Sequence, residues 1–135
     1  MHFALQQKVL FKHCDPAGIV FYPRYFEIIN DTIEAMFADL LGWPFEELHK
    51  EGGVPTVHID VDFKAVSRHG DRLDLEVTIN RLGGSSMDLH LLARDGEEVR
   101  FVAQQTLVCV DREGRARHWP APLRSRIDEL LERTP

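Results

Sequence analysis

The chain has 135 residues, 44% of them hydrophobic and 28% charged, with a net charge of −6. This is the composition of a water-soluble protein with one hydrophobic core. Its acidity and scattered Lys and Arg exclude a phosphate-gripping nucleic-acid surface, and no apolar run approaches the about 20 residues of a membrane span.

The N-terminus lacks the basic-then-apolar order of a targeting segment. Cys14 and Cys109 have no CxxC partner, so two reduced thiols and a cytoplasmic location are expected. No repeat, low-complexity tract or linker divides the chain, and a single domain over 1–135 is expected.

In chain order, His2 to Lys12 alternates, with Phe3, Leu5, Val9 and Phe11 on one parity, which predicts a first strand. The stretch HCDPAGIVFYPRYFE, residues 13–27, sets His13, Cys14 and Asp15 against a Pro-Ala-Gly corner. From Pro23 the period changes: Phe26, Ile29, Ile33, Met36, Phe37 and Leu40 draw an apolar stripe along a helix. Pro23 suits the first turn, where its missing N–H costs nothing. Gly42 and Pro44 mark the end, and a helical turn over 45–50 stops at Gly52-Gly53.

The rest is β-rich. Residues 54–66 alternate, with Val57, Ile59, Val61 and Phe63 on one face and His58, Asp60, Asp62 and Lys64 on the other. Residues 72–82 repeat the pattern with Leu73, Leu75, Val77 and Ile79. Gly83-Gly84-Ser85 turns into Met87, Leu89 and Leu91, Asp95-Gly96 reads as a hairpin, and a long strand runs over 99–110. A final amphipathic helix over 123–131 is charged enough to be loosely attached. One long helix cannot bury its stripe alone, so it must lie across the sheet. The fold class is α+β, four sequential antiparallel strands joined by hairpin turns and a first strand in the same sheet, curled around one central helix.

At the corner, Pro16 presets φ and Gly18 can take a positive φ, so Asp15 can be simply a turn residue that bonds its own backbone. The alternative uses the helix start that follows. Its unpaired amides favour negative charge and could hold a carbonyl oxygen as it becomes an oxyanion. Asp15 would then attack that carbonyl or activate water beside it. From the residues alone both readings stand.

HCDPAGIVFYPRYFE resembles the signature of the 4-hydroxybenzoyl-CoA thioesterase family of hot-dog proteins, and the likeness extends over nearly the whole chain. It implies a hot-dog fold and a thioester hydrolase acting on acyl-CoA. Asp15 would be nucleophile or general base, and the Tyr22 backbone N–H would polarise the carbonyl. It further implies a homodimer or a dimer of dimers, the homotetramer included, with active sites at the dimer interface. Pro55, Thr56 and His58 of the neighbouring copy would line the acyl pocket. No metal or cofactor is implied, since coenzyme A is part of the substrate.

Two departures matter. Asn30 stands where the aromatic-CoA relatives carry a carboxylate, and it can hydrogen-bond but brings no charge. The turn expected to meet the CoA phosphates reads Arg81-Leu-Gly-Gly-Ser-Ser86, leaving that contact to Arg81, Ser85 and Ser86; this form resembles the broad acyl-CoA thioesterase branch.

Other signals carry less. His13 could orient Asp15 or tune its pKa, but a His ending a strand is more often only a surface or partly buried residue. Cys14 has no His-Asn partner and reads as a small apolar residue. His58, Asp60 and Asp62 share a strand face, which a solvated face, or one making subunit contacts, explains better than a metal site. Arg68-His69 and Arg124–Arg126 could attract CoA phosphates or be surface charge. The competing functions are a hydratase or dehydratase, which needs a His-centred pair not found here, and a non-catalytic acyl-CoA-binding protein, which needs no acid at the corner.

Overall fold

In the computed structural model, which describes residues 2–132, five antiparallel strands form one sheet. They are β1 (His2–Lys8), β3 (Thr56–Phe63), β4 (Arg72–Leu82), β5 (Ser86–Asp95) and β6 (Glu98–Val108), in the order β1-β4-β5-β6-β3. Two short strands, β2 (Gly52–Gly53) and β7 (Val110–Asp111), pair beside it. The helices are α1 (Arg24–Asp39), α2 (Phe45–Leu48) and α3 (Ala121–Glu132).

The alternation read in the sequence places the core. Leu73, Leu75, Val77 and Ile79 of β4 are buried, as are Met87, Leu89 and Leu91 of β5 and Phe101, Ala103 and Leu107 of β6. Helix α1 lies against this face, with Tyr25, Ile28, Ile29, Ile33, Met36 and Phe37 in the same cluster. Burying each large side chain contributes about 1.5–3 kcal/mol. The buried stripe is rotated from the expected one: Tyr25, Ile28 and Thr32 point inward while Phe26 remains 38% exposed. Phe26 shares its face with Asn30, one helical turn on.

Strands β3 and β4 do not form the expected hairpin; β3 crosses to the far edge and pairs with β6. The connection is held by Arg100, whose guanidinium donates to Val66 O (3.2 Å), Ser67 Oγ (3.1 Å) and Asp71 Oδ2 (2.7 Å). The Asp71 carboxyl is held below its ordinary value by the Arg100 hydrogen bond and by the Arg68 N–H. Burial alone would lower the Arg100 pKa, but Asp71, Glu98 and Asp95 hold the group above its ordinary value.

Strand β1 stops at Lys8, four residues short of the expected end, and Phe11–His13 coil into a 3-10 turn. Val9 donates to Asp71 O (2.7 Å) and accepts from Gly70 N–H (2.9 Å), which ends the ladder there. The long strand over 99–110 breaks at Cys109, whose N–H donates to Ser85 O (2.7 Å), before β7 turns to β2. A Cβ on Gly52 would collide with the Val110 carbonyl, so this pairing requires glycine.

Helix α3 is not loose. Leu123 and Ile127 are buried, Trp119 Nε1 donates to Ser86 O (3.0 Å), and Arg124 donates to Gly83 O. Arg126 Nε donates to Leu40 O (3.2 Å), while Asp128, Glu129 and Glu132 are exposed.

Candidate functional site

The corner folds as its residues dictate. Asp15 Oδ1 accepts from Ala17 N–H (2.9 Å), Gly18 N–H donates to Asp15 O (2.9 Å), and Gly18 takes φ +82°. Cys14 bridges to Val20 and Ile19 to Arg68, and Val20 N–H donates to Ser67 O (2.8 Å). Thus the segment held by Arg100 in turn holds the corner. The turn uses one carboxylate oxygen of Asp15; among the described residues, Oδ2 has no hydrogen-bond partner.

Phe21 N–H donates to His13 O (3.0 Å), which fixes the start of α1. Pro23 already has helical angles (φ −62°, ψ −23°) and has no N–H to offer. Tyr22 N–H is therefore the last amide before the helix, and no partner takes it among the described residues. Asp15 and Tyr22 line one cavity of about 430 Å³, with Phe63 and Tyr25 among its walls. Tyr25 stacks on Phe63 (5.4 Å between centroids), and Tyr22 meets Phe63 edge-on (6.2 Å). Here a carboxylate and a free amide share an aromatic-walled space, an arrangement fit for acyl transfer. Lys64 also borders this cavity, and the sequence does not single it out because it closes an ordinary alternating run.

His13 is not oriented toward Asp15. It is 2% exposed, and its Nδ1 accepts from Leu10 N–H (2.9 Å). Burial pushes its pKa down and Lys12 adds to that; Glu27 and Asp31 oppose it. It is a neutral packing residue at the base of the corner. Cys14 is half-buried, and burial raises its thiol pKa, with Asp15 and Asp71 adding to that, so it is no activated nucleophile.

The remaining candidates lie elsewhere. Asn30, Pro55 and Thr56 border a second cavity of about 320 Å³, between α1, α2 and the far end of β3. His58 stands outside both cavities and pairs with Asp60 (3.2 Å) on the exposed edge. Ser85 and Ser86 sit in the β4–β5 turn, whose carbonyls are taken by Cys109 N–H, Gly83 N–H and Trp119 Nε1; Arg81 is exposed beside them. This turn lies at the Thr56 end of the sheet, since Ser86 is opposite Val108 and Val108 N–H donates to Pro55 O (3.1 Å). Within one chain, therefore, the Asp15 pair and the other candidates occupy opposite ends of β3.

Gln105 was missed altogether. It falls on the inward parity of β6, between Ala103 and Leu107, is only 7% exposed, and borders the second cavity. The signal was a polar residue in an otherwise apolar alternation. Among the described residues, no group of three or more His, Cys, Asp or Glu could hold a metal, and no helix is long and apolar enough to cross a membrane.

Comparison with known proteins adds the relatives. The model of the thioesterase-like superfamily matches residues 9–132. The chain is 25% identical over 135 residues to a 1,4-dihydroxy-2-naphthoyl-CoA hydrolase of Synechococcus elongatus, covering 98% of this chain and 96% of that one. It is 30% identical over 78 residues to the 4-hydroxybenzoyl-CoA thioesterase of Pseudomonas sp., covering 56% and 55% of the two chains. Among solved structures it resembles a gentisyl-coenzyme A thioesterase, with a TM-score of 0.83, 26% identity and coverage of 90% and 99%. The sheet curled around α1 is the hot-dog fold.

Proposed function

The chain belongs to the thioesterase-like superfamily and is a thioester hydrolase; on that premise we propose that it cleaves an acyl-coenzyme A thioester at the Asp15 cavity. The observation that carries this reading is the pairing of a free carboxylate oxygen with an unpartnered N–H at a helix start, in one cavity.

The Tyr22 N–H holds the thioester oxygen as it gains charge, helped by the positive end of α1. Asp15 takes a proton from water, whose oxygen bonds to the carbonyl carbon. The C–S bond then breaks, and the coenzyme A thiolate recovers the proton. A direct attack by Asp15 is the other balanced route: the C–S bond breaks as an anhydride forms, and water then cleaves the anhydride. Both need the same carboxylate in the same place.

The second half of the site comes from another copy. Strand β3 is a sheet edge with Val57 and Phe63 exposed by 60% and 44%, a surface that a soluble protein usually covers. Pairing two β3 edges antiparallel about a two-fold axis sets the Thr56 end of one chain beside the Phe63 end of the other. The Asn30–Thr56 cavity of each chain then adjoins the Asp15 cavity of its neighbour. The names of the relatives favour a hydroxylated aromatic acyl group, and Asn30 is suited to a neutral polar ligand. Arg81, Ser85 and Ser86 are assigned to the coenzyme A phosphates.

The test is thiol release from aliphatic and aromatic acyl-CoAs with Asp15→Asn in parallel. A loss in kcat of about 10²- to 10⁴-fold with little change in substrate affinity is expected.

A further inference from the structure

Gln105 is out of place by every rule of core packing. It projects from β6 at the position between Ala103 and Leu107, opposite Leu89 of β5 and Ile59 of β3, on the face that packs α1. Its Nε2 donates to Thr56 Oγ1 (2.8 Å), but its Oε1 is closed to solvent and has no partner. Leaving a buried acceptor unpaired costs about 1–3 kcal/mol, which a leucine at this position would avoid. Exchanging the amide oxygen and nitrogen does not remove the defect, since the NH₂ would then be the unpaired group.

The orphaned group is not in solid core. Gln105, Thr56 and Asn30 together border two adjoining cavities, of about 320 Å³ and about 180 Å³. Thr56 is exposed to them, and because its oxygen accepts from Gln105 its own O–H proton is free to be donated. The pair thus offers the Thr56 donor to whatever enters, with the closed-off Gln105 acceptor beside it. A hydroxyl can answer both at once, accepting from Thr56 O–H and donating to Gln105 Oε1. The last torsion of a glutamine side chain is soft enough to turn the amide toward it.

We propose that Gln105 is the specificity-determining residue of the acyl pocket, and that with Thr56 it selects acyl groups carrying a hydroxyl over those that carry none. This rests on the thioesterase reading for its substrates but not for its geometry. A site that leaves a buried polar group unpaired discriminates strongly against the ligand lacking the matching hydroxyl.

The experiment compares kcat/KM for the three monohydroxybenzoyl-CoA isomers with benzoyl-CoA in the wild type, Gln105→Leu and Thr56→Val. The wild type should favour at least one hydroxylated isomer, and Gln105→Leu should reduce that ratio by about tenfold or more while its melting temperature holds or rises. Thr56→Val, at an exposed position, serves if Gln105→Leu does not fold and should lower the ratio in the same direction. An unchanged ratio, or an equal loss on both substrates, would overturn the proposal. In parallel, binding of hydroxyphenacyl-CoA and phenacyl-CoA thioethers, which cannot be hydrolysed, is measured by calorimetry. If no thioester is turned over, a hydroxyl preference in binding that Gln105→Leu abolishes still supports the role of Gln105 and removes only the thioesterase reading. No preference in binding overturns the role of Gln105 itself.

Discussion

The two ends of β3 differ in kind. At the Phe63 end, a cavity walled by Tyr22, Tyr25 and Phe63 holds a carboxylate with a free oxygen and an amide with no partner. At the Thr56 end, the cavity is bordered by the side-chain amides of Asn30 and Gln105, the Thr56 hydroxyl and the ring of His49. The first end carries the groups proposed for the chemistry; the second carries the neutral hydrogen-bonding groups proposed for recognition. Strand β3 has eight residues, so the two ends lie about 23 Å apart at the usual strand rise. One chain carries both ends, but too far apart to meet on one small ligand. In the proposed dimer, a second copy paired on the β3 edge between them would complete both sites.

The sharpest way to break this comparison is to disable the reactive end alone. Asp15→Asn should lower kcat by about 10²- to 10⁴-fold with coenzyme A ester affinity kept, as followed by steady-state thiol release. Next comes the scaffold behind that end. Arg100→Ala strips the buried cation from Asp71, Ser67 and Val66 and should lower unfolding free energy by about 3–5 kcal/mol in a denaturant titration. A loss below about 1 kcal/mol would mean that the crossing segment does not depend on this ion pair.

A third experiment joins the two ends. Thr56→Arg blocks the recognition cavity without touching Asp15, so Asp15→Asn and Thr56→Arg chains are each expected to be inactive. Mixed and allowed to exchange, they should recover about a quarter of wild-type activity per chain, because half the dimers are mixed and one site in each is intact. No recovery despite verified exchange would place both halves of the site in one chain.

The smallest effect concerns His13 under the corner. Its pKa in the folded chain is lowered, burial being the main cause. The unfolded chain therefore binds a proton first as pH falls. The stability His13 contributes is complete above its ordinary value of 6.5 and is lost progressively below it. His13→Asn, which keeps an acceptor for Leu10 N–H, should flatten this part of the stability profile between pH 7 and 5. An unaltered slope would show that His13 is not the titrating group.

Much of this was legible in the sequence because the physics is local. The alternation of β4 and β5 specified their buried faces, and Asp-Pro-Ala-Gly specified a turn with a positive φ at Gly18. The expectation failed where tertiary context overrides a period. The helical stripe counted Phe26 as core, but the sheet is met by Tyr25 and Ile28, leaving Phe26 on the cavity side with Asn30. The apolar parity of β3 looked like a buried face, yet Val57 and Phe63 are exposed because β3 is an edge. Sequential strands suggested a β3–β4 hairpin, but β3 pairs with β6 and Arg100 grips residues 66–71 from long range in the sequence. Gln105 was hidden for the opposite reason: one polar residue in a strand reads as surface until its neighbours on both sides are known.

The most direct test of the central claim is coenzyme A thiol release from aroyl and aliphatic acyl-CoAs by wild type and Asp15→Asn, each verified as folded. Release by wild type that falls by about 10² or more in the variant is the result expected from a carboxylate acting beside the Tyr22 amide. Equal release by both proteins would contradict it and remove Asp15 from the chemistry.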